Sequence, residues 1–154
     1  MTEATTTRNP LVLVLCTGNS CRSQMAEAFL RQFHGDRYEV ASAGTDPQPA
    51  VHPLAVRVMA EAGVDITAQR PKPLTAFLGK APVRHVLIVC DRAHGTCPRI
   101  WPGCYSRQYM PFDDPAEARG TDEQRMAVFR RVRDEIATAM RAWEPQIDRA
   151  GVTA

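Results

Sequence analysis

Five apolar residues in a row, Leu11-Val12-Leu13-Val14-Leu15, run straight into Cys16-Thr17-Gly18-Asn19-Ser20-Cys21-Arg22-Ser23 and then into a segment with helical spacing that begins near Gln24. An unbroken apolar run suits a central parallel strand buried on both faces, so the pattern predicts a strand, a tight loop and a helix N-terminus. Backbone N–H groups of a loop built from small residues, aided by the positive end of the helix dipole, form a concave nest for an anion. Arg22 adds a planar fork for two oxyanion oxygens, and the same positive field is expected to lower the pKa of Cys16 toward the thiolate. Gly18 is expected to let the backbone curl, and Asn19 tolerates a left-handed conformation. Ser23 is expected either to cap the helix or to donate a hydrogen bond to the Cys16 sulfur. A loop so equipped can hold a tetrahedral oxyanion and attack it.

The rest of the chain alternates strands and helices. A first helix is expected from about Ser23 to His34, with Met25, Ala26, Phe29, Leu30 and Phe33 at helical spacing and Gly35 as its stop. A second strand follows near Tyr38 to Ala43, and a second helix between Pro53 and Ala62 with Leu54, Val58 and Met59 inward. Pro71 and Pro73 make a loop into a short helix near Thr75 to Leu78. Strand three, Val86 to Cys90, is again apolar, and an edge strand is expected near Gln108 to Met110. The last helix opens on a capping box, Thr121 with Gln124, and carries Phe129, Val132, Ile136, Met140 and Trp143 as one stripe before Pro145. Such alternation predicts a three-layer α/β fold, with residues 1–10 as a flexible tail, 11–145 as a single domain and 146–154 as a C-terminal tail. Ligands of such sheets sit beyond the carboxyl ends of the strands. Cys16 and Cys90, 74 positions apart, are therefore expected to share a rim.

At 154 residues the chain is long enough for one domain with a substantial core. A net charge of +2, with basic and acidic residues interspersed, excludes a nucleic-acid-binding face. The apolar run at 11–15 falls short of the ~7–15 residues of a signal core, and no segment approaches a ~20-residue membrane span. Five cysteines, an odd number, do not read as a secreted disulfide framework, so a reducing cytoplasm, no membrane partner and a monomer are expected. Cys90 and Cys97 flank the polar segment Asp91-Arg92-Ala93-His94-Gly95-Thr96, which could bring their sulfurs within disulfide range. Taken alone, the pair fits equally well as a core thiol and an incidental loop thiol. Zinc ligand types occur at Cys90, His94, Cys97 and Cys104, but no second paired cluster accompanies them, and no metal is expected. Cys21 reads as a packing residue or as a partner for a protective disulfide with Cys16, and Cys104 as incidental. His34, His52 and His85 are expected to cap, pack or face solvent, away from the site.

The stretch Cys16 to Ser23 resembles the phosphate-binding loop of the low-molecular-weight protein tyrosine phosphatases. Ser23-Gln24-Met25-Ala26-Glu27, with Gln24 where the phosphatases usually carry proline, narrows the resemblance to their arsenate-reductase branch. Ser42-Ala43-Gly44, Cys90, Cys97-Pro98, Phe112-Asp113-Asp114-Pro115-Ala116 and the segment from Phe129 to Ile136 extend it over nearly the whole chain. The resemblance implies a central four-stranded parallel sheet flanked by helices. It also implies an arsenate reductase without a cofactor, in which Thr17, Gly18, Asn19, Ser20, Cys21 and Arg22 bind the oxyanion. Cys16 would attack arsenate, Ser23 would tune its thiolate, and Asp114, or failing it Asp113, would act as acid. Cys90 would attack the Cys16 sulfur as arsenite leaves, Cys97 would attack Cys90, and a thioredoxin- or glutaredoxin-like reductant would restore the thiols. Phosphomonoester hydrolysis through phosphocysteine and a non-catalytic thiol sensor are the alternatives. Some relatives bind potassium near the loop through an Asn and a Ser that match Asn19 and Ser42. Arg70 and Lys72 fall where the further ligands would lie, so no potassium requirement is expected.

Overall fold

Val12, Leu13, Val14 and Leu15 are each at most 1% exposed, which is why no polar residue interrupts them. They lie in β1 (Leu11–Cys16), the inner strand of a four-stranded parallel sheet. In this computed structural model, which describes residues 9–90 and 104–145, β2 (Glu39–Gly44) pairs with β1 from Leu11↔Glu39 to Cys16↔Gly44. On its other side β1 meets β3 (Val83–Ile88), and β4 (Ser106–Tyr109) closes that edge, giving the order β2-β1-β3-β4. Three helices among the described residues cover the sheet: α1 (Arg22–His34), α2 (Pro53–Glu61) and α3 (Asp122–Arg141), with α3 packed on both others. Single 3-10 turns lie at Leu74–Ala76 and Pro115–Glu117. The stripe Phe129, Val132, Ile136, Met140 and Trp143 is buried as a unit, and Leu54, Val58 and Met59 of α2 face the core. The expected α/β sandwich with a four-stranded parallel sheet is the fold observed.

Several boundaries differ from expectation for local reasons. β3 starts at Val83, not Val86, because His85 is a core residue. Its Nδ1 lies 2.8 Å from Ser106 Oγ, and its ring meets Tyr38 and Trp143 edge-on. The same strand ends at Ile88, so Cys90 follows it instead of closing it. β4 begins at Ser106, two residues early, and the 3-10 turn at Leu74 precedes the expected Thr75. Gly35 caps α1 in a right-handed conformation with φ −65°, so it is no left-handed stop. The tails expected at 1–10 and 146–154 lie outside the described residues apart from Asn9 and Pro10, and so do His94 and Cys97.

The capping box of α3 is formed in both directions: Gln124 N–H donates to Thr121 Oγ1 at 3.1 Å and Thr121 N–H to Gln124 Oε1 at 2.8 Å. Thr121→Ala should lower unfolding stability by about 1 kcal/mol in urea titrations with an unchanged slope. A loss under a few tenths would mean the box does not fix the helix start.

Candidate functional site

The loop between β1 and α1 is shaped from outside by the segment after β2. Thr45 N–H donates to Cys16 O at 3.2 Å, Asp46 N–H to Thr17 O and Gln48 N–H to Gly18 O at 2.9 Å, and His52 N–H to Ser20 O at 2.9 Å. Gln24 Nε2 donates to Asn19 O at 2.9 Å. Every carbonyl from Cys16 to Ser20 is thus bonded outward. In a trans peptide the following N–H points the opposite way, so the N–H groups turn into the concave side. Gly44 permits this close approach, since a Cβ there would stand 2.5 Å from Thr17 O.

Asn19 has φ 51°, the one left-handed non-glycine among the described residues. Its side chain is held at three points: Nδ2 donates to Ser23 Oγ at 2.8 Å and to Ser42 Oγ at 2.9 Å, and Oδ1 accepts from Lys72 N–H at 2.8 Å. Gly18 carries no positive φ, and a Cβ there would lie 3.1 Å from Gln48 Cγ. The turn expected of Gly18 is therefore made by Asn19. Ser23 is not the cap either. Cys21 stands at that position without a side-chain bond, and Ser23 sits fully buried inside α1 as the acceptor for Asn19.

Arg22 is 9% exposed. Its guanidinium donates from Nη1 to Phe112 O at 3.2 Å and lies 3.3 Å through Nη2 from Asp114 Oδ2, while Nε is buried with no hydrogen-bond partner among the described residues. A buried, unpartnered cationic donor is costly unless an acceptor can reach it, which marks the spot for a bound oxyanion. Asp114 is fixed by its other oxygen, which accepts from Ala116 N–H at 3.0 Å and caps the 3-10 turn. Asp113, the fallback, points away and pairs with Arg131 at 3.2 Å. A cavity of about 310 Å³ is lined by Cys16 through Arg22 together with Asp46, Gln48, His52, Asp114 and Ala116.

A second sulfur lies buried behind the start of the loop. Cys90 Sγ accepts from Thr17 N–H at 3.0 Å and lies 3.4 Å from Thr17 Oγ1. It lies close enough to Cys16 to act on that thiol's acidity, and both sulfurs are buried. The expected rim is thus real, but two expectations change. Thr17 gives its N–H to Cys90, so the inward N–H groups facing the cavity begin at Gly18. The Cys16 pKa is raised rather than lowered. The bond to Cys90 is the largest cause and burial the next, and together they outweigh the Arg22 charge and the Thr17 N–H. Burial likewise pushes the Cys21 thiol up to about 12, as befits a packing residue. Parallel pairing puts Cys104, just before β4, at the opposite end of the strands from Cys90, roughly 20 Å away at ~3.3 Å per residue, which removes it from any zinc cluster with Cys90.

Sequence reasoning missed the segment from Thr45 to His52. His52, expected away from the site, lines the cavity. Its Nδ1 accepts from Leu54 N–H at 3.1 Å as the α2 cap, and its ring rests 4.9 Å from that of Phe129. The only signal for it was its place before Pro53 at a helix start.

A family model described as low molecular weight phosphotyrosine protein phosphatase matches residues 11–153. The arsenate reductase of Halalkalibacterium halodurans is 44% identical over 134 residues, which cover 86% of this chain and 94% of that protein. Among solved structures, an arsenate reductase in the phosphate binding state aligns with TM-score 0.67 and 30% identity over 85% of this chain and 93% of that one. A thioredoxin-dependent arsenate reductase of Corynebacterium glutamicum aligns with TM-score 0.61 and 28% identity over 87% of this chain and 61% of that one.

Because the bond to Cys90 is the main cause holding the Cys16 proton, Cys90→Ala should move the midpoint of Cys16 alkylation by iodoacetamide to lower pH, followed by peptide mapping. An unchanged or higher midpoint would contradict the assignment of that cause.

Proposed function

The chain belongs to the low molecular weight phosphotyrosine protein phosphatase family, and on that premise we infer that it is an arsenate reductase, an oxidoreductase that converts arsenate to arsenite. Arsenate is held by the N–H groups that follow Thr17 and by Arg22, whose Nε has no other acceptor among the described residues. Cys16 Sγ attacks arsenic, forming an As–S bond, and an oxygen leaves as water with a proton from Asp114. Cys90 Sγ then attacks Cys16 Sγ. The S–S bond forms, the As–S electron pair returns to arsenic, and arsenic departs as arsenite, reduced from the +5 to the +3 state. Cys97 attacks Cys90 and frees Cys16. A thioredoxin- or glutaredoxin-like dithiol supplies the two electrons that reopen the Cys90–Cys97 disulfide. No cofactor enters the cycle.

The observation that carries this reading is the Cys90 sulfur on Thr17 N–H, one residue from Cys16. Phosphoester hydrolysis needs one thiol, and a second buried beside it only makes that thiol less acidic. The cavity lining also favours an inorganic oxyanion over an aryl phosphate, because no phenyl, phenol or indole ring lines it among the described residues. No described helix is long and apolar enough to cross a membrane. Free thiols at Cys16, Cys21, Cys90 and Cys104 suit the reducing cytoplasm, where we place the enzyme, acting as a monomer.

With arsenate, thioredoxin and its reductase, Cys16→Ser, Cys90→Ser and Cys97→Ser should each lose steady-state arsenite formation by a factor on the order of 10³ or more. Wild-type rates in Cys90→Ser, or fast phosphoester hydrolysis without arsenite, would return the chain to phosphatase chemistry.

A further inference from the structure

We propose that Lys72 is a positioning residue for oxyanion binding: its ammonium group is the built-in counter-cation of buried Glu27, and the Glu27–Ser42–Asn19 chain so neutralised holds the loop in its anion-binding shape without a bound metal ion. The proposal rests on the reading of residues 16–22 as the oxyanion site. Glu27, on α1, is 5% exposed, and a carboxylate so placed is tolerated only when it is paired and hydrogen-bonded. Its Oε1 accepts the Ser42 hydroxyl at 2.5 Å and lies 4.0 Å from Lys72 Nζ, while Oε2 is gripped by Arg31. Since Ser42 gives its proton to Glu27, its oxygen is free to accept from Asn19 Nδ2. The Ser42 hydroxyl donated to Glu27 thereby fixes the direction of the hydrogen bonds up to the left-handed residue of the loop.

Lys72 reaches this chain twice. Its main chain binds Asn19 Oδ1 through N–H and accepts from Gly44 N–H at 2.7 Å, and its Nζ donates to Arg70 O at 2.9 Å beside Glu27. Burial lowers the Lys72 pKa and Glu27 pulls it back up, as expected of an internal pair. The potassium-binding relatives use an Asn and a Ser that match Asn19 and Ser42. Here Asn19 Oδ1 is taken by the Lys72 N–H, Ser42 is committed to Glu27, and two cations already flank that carboxylate. These residues do not fit a resident potassium ion.

Lys72→Met removes the ammonium and leaves the main-chain bonds in place. Phosphate dissociation constants by calorimetry, and KM and kcat for arsenate, would be measured in potassium chloride and in tetramethylammonium chloride at equal ionic strength. Wild type should agree within about twofold between salts, whereas in tetramethylammonium Lys72→Met should weaken phosphate binding and raise KM about tenfold with little change in kcat. Lys72→Arg should recover most of the loss. A lysine that only supports the fold would lower the melting temperature without separating KM from kcat. If Lys72→Met does not fold, Lys72→Gln, which removes the same charge and keeps a polar end, is read the same way. Wild type that binds no phosphate would sink the oxyanion-site reading itself. Wild type that binds phosphate but weakens without potassium, or Lys72→Met that binds like wild type in both salts, would overturn this proposal.

Discussion

Parallel pairing of β1 with β3 places the ends of both strands at one edge, and there the Thr17 N–H reaches across to the Cys90 sulfur at 3.0 Å. The contact joins residues 73 positions apart and sets the buried Cys90 thiol beside the buried Cys16 thiol, whose pKa it raises. A disulfide requires sulfurs that can approach to ~2 Å with suitable Cβ vectors, so a second thiol at the far end of the strands, such as Cys104, would need a large movement to take part. The redox chemistry we propose for this pocket depends on this one juxtaposition.

The arrangement carries an electrostatic tension. Arg22 and the Thr17 N–H favour a thiolate at Cys16, while the Cys90 contact and burial hold its proton. A hydrolase would gain by removing the second sulfur. A reductase must keep it within reach of the first and accept the lost acidity. Preorganisation of the loop limits the cost. Its carbonyls are bonded outward, its left-handed turn is held at three points on Asn19, and the Arg22 Nε has no acceptor among the described residues. Little of the binding energy of an oxyanion is then spent on ordering the backbone.

The sheet, the helices and the loop were legible in the residues because their signals are local. An apolar run long enough to be buried on both faces, a 3.6-residue stripe ending at Trp143, and a capping box at Thr121 each specify their own element. The left-handed Asn19 was legible for the same reason. What escaped depends on contacts distant in sequence. His85 looks like a break in β3 until Tyr38, Trp143 and Ser106 close around it. Gly18 looks like the turn residue until Gly44 and Gln48 press on the loop from the other strand. The direction of the Cys16 pKa reversed because the nearest strong influence is a sulfur on a different strand, where a loop read in isolation offers only the cation at Arg22. Thr45 to His52 carries no catalytic residue type in a recognisable spacing, so its role as the outer mould of the loop shows only in three dimensions.

The central claim is that oxidation passes from the first sulfur to its buried neighbour. A single turnover of reduced Cys97→Ser with arsenate, quenched by acid alkylation and mapped by mass spectrometry, tests it most directly. The account predicts one equivalent of arsenite and a disulfide joining Cys16 to Cys90. Arsenite released with Cys90 still alkylatable, or with Cys16 joined to Cys21 instead, would contradict it.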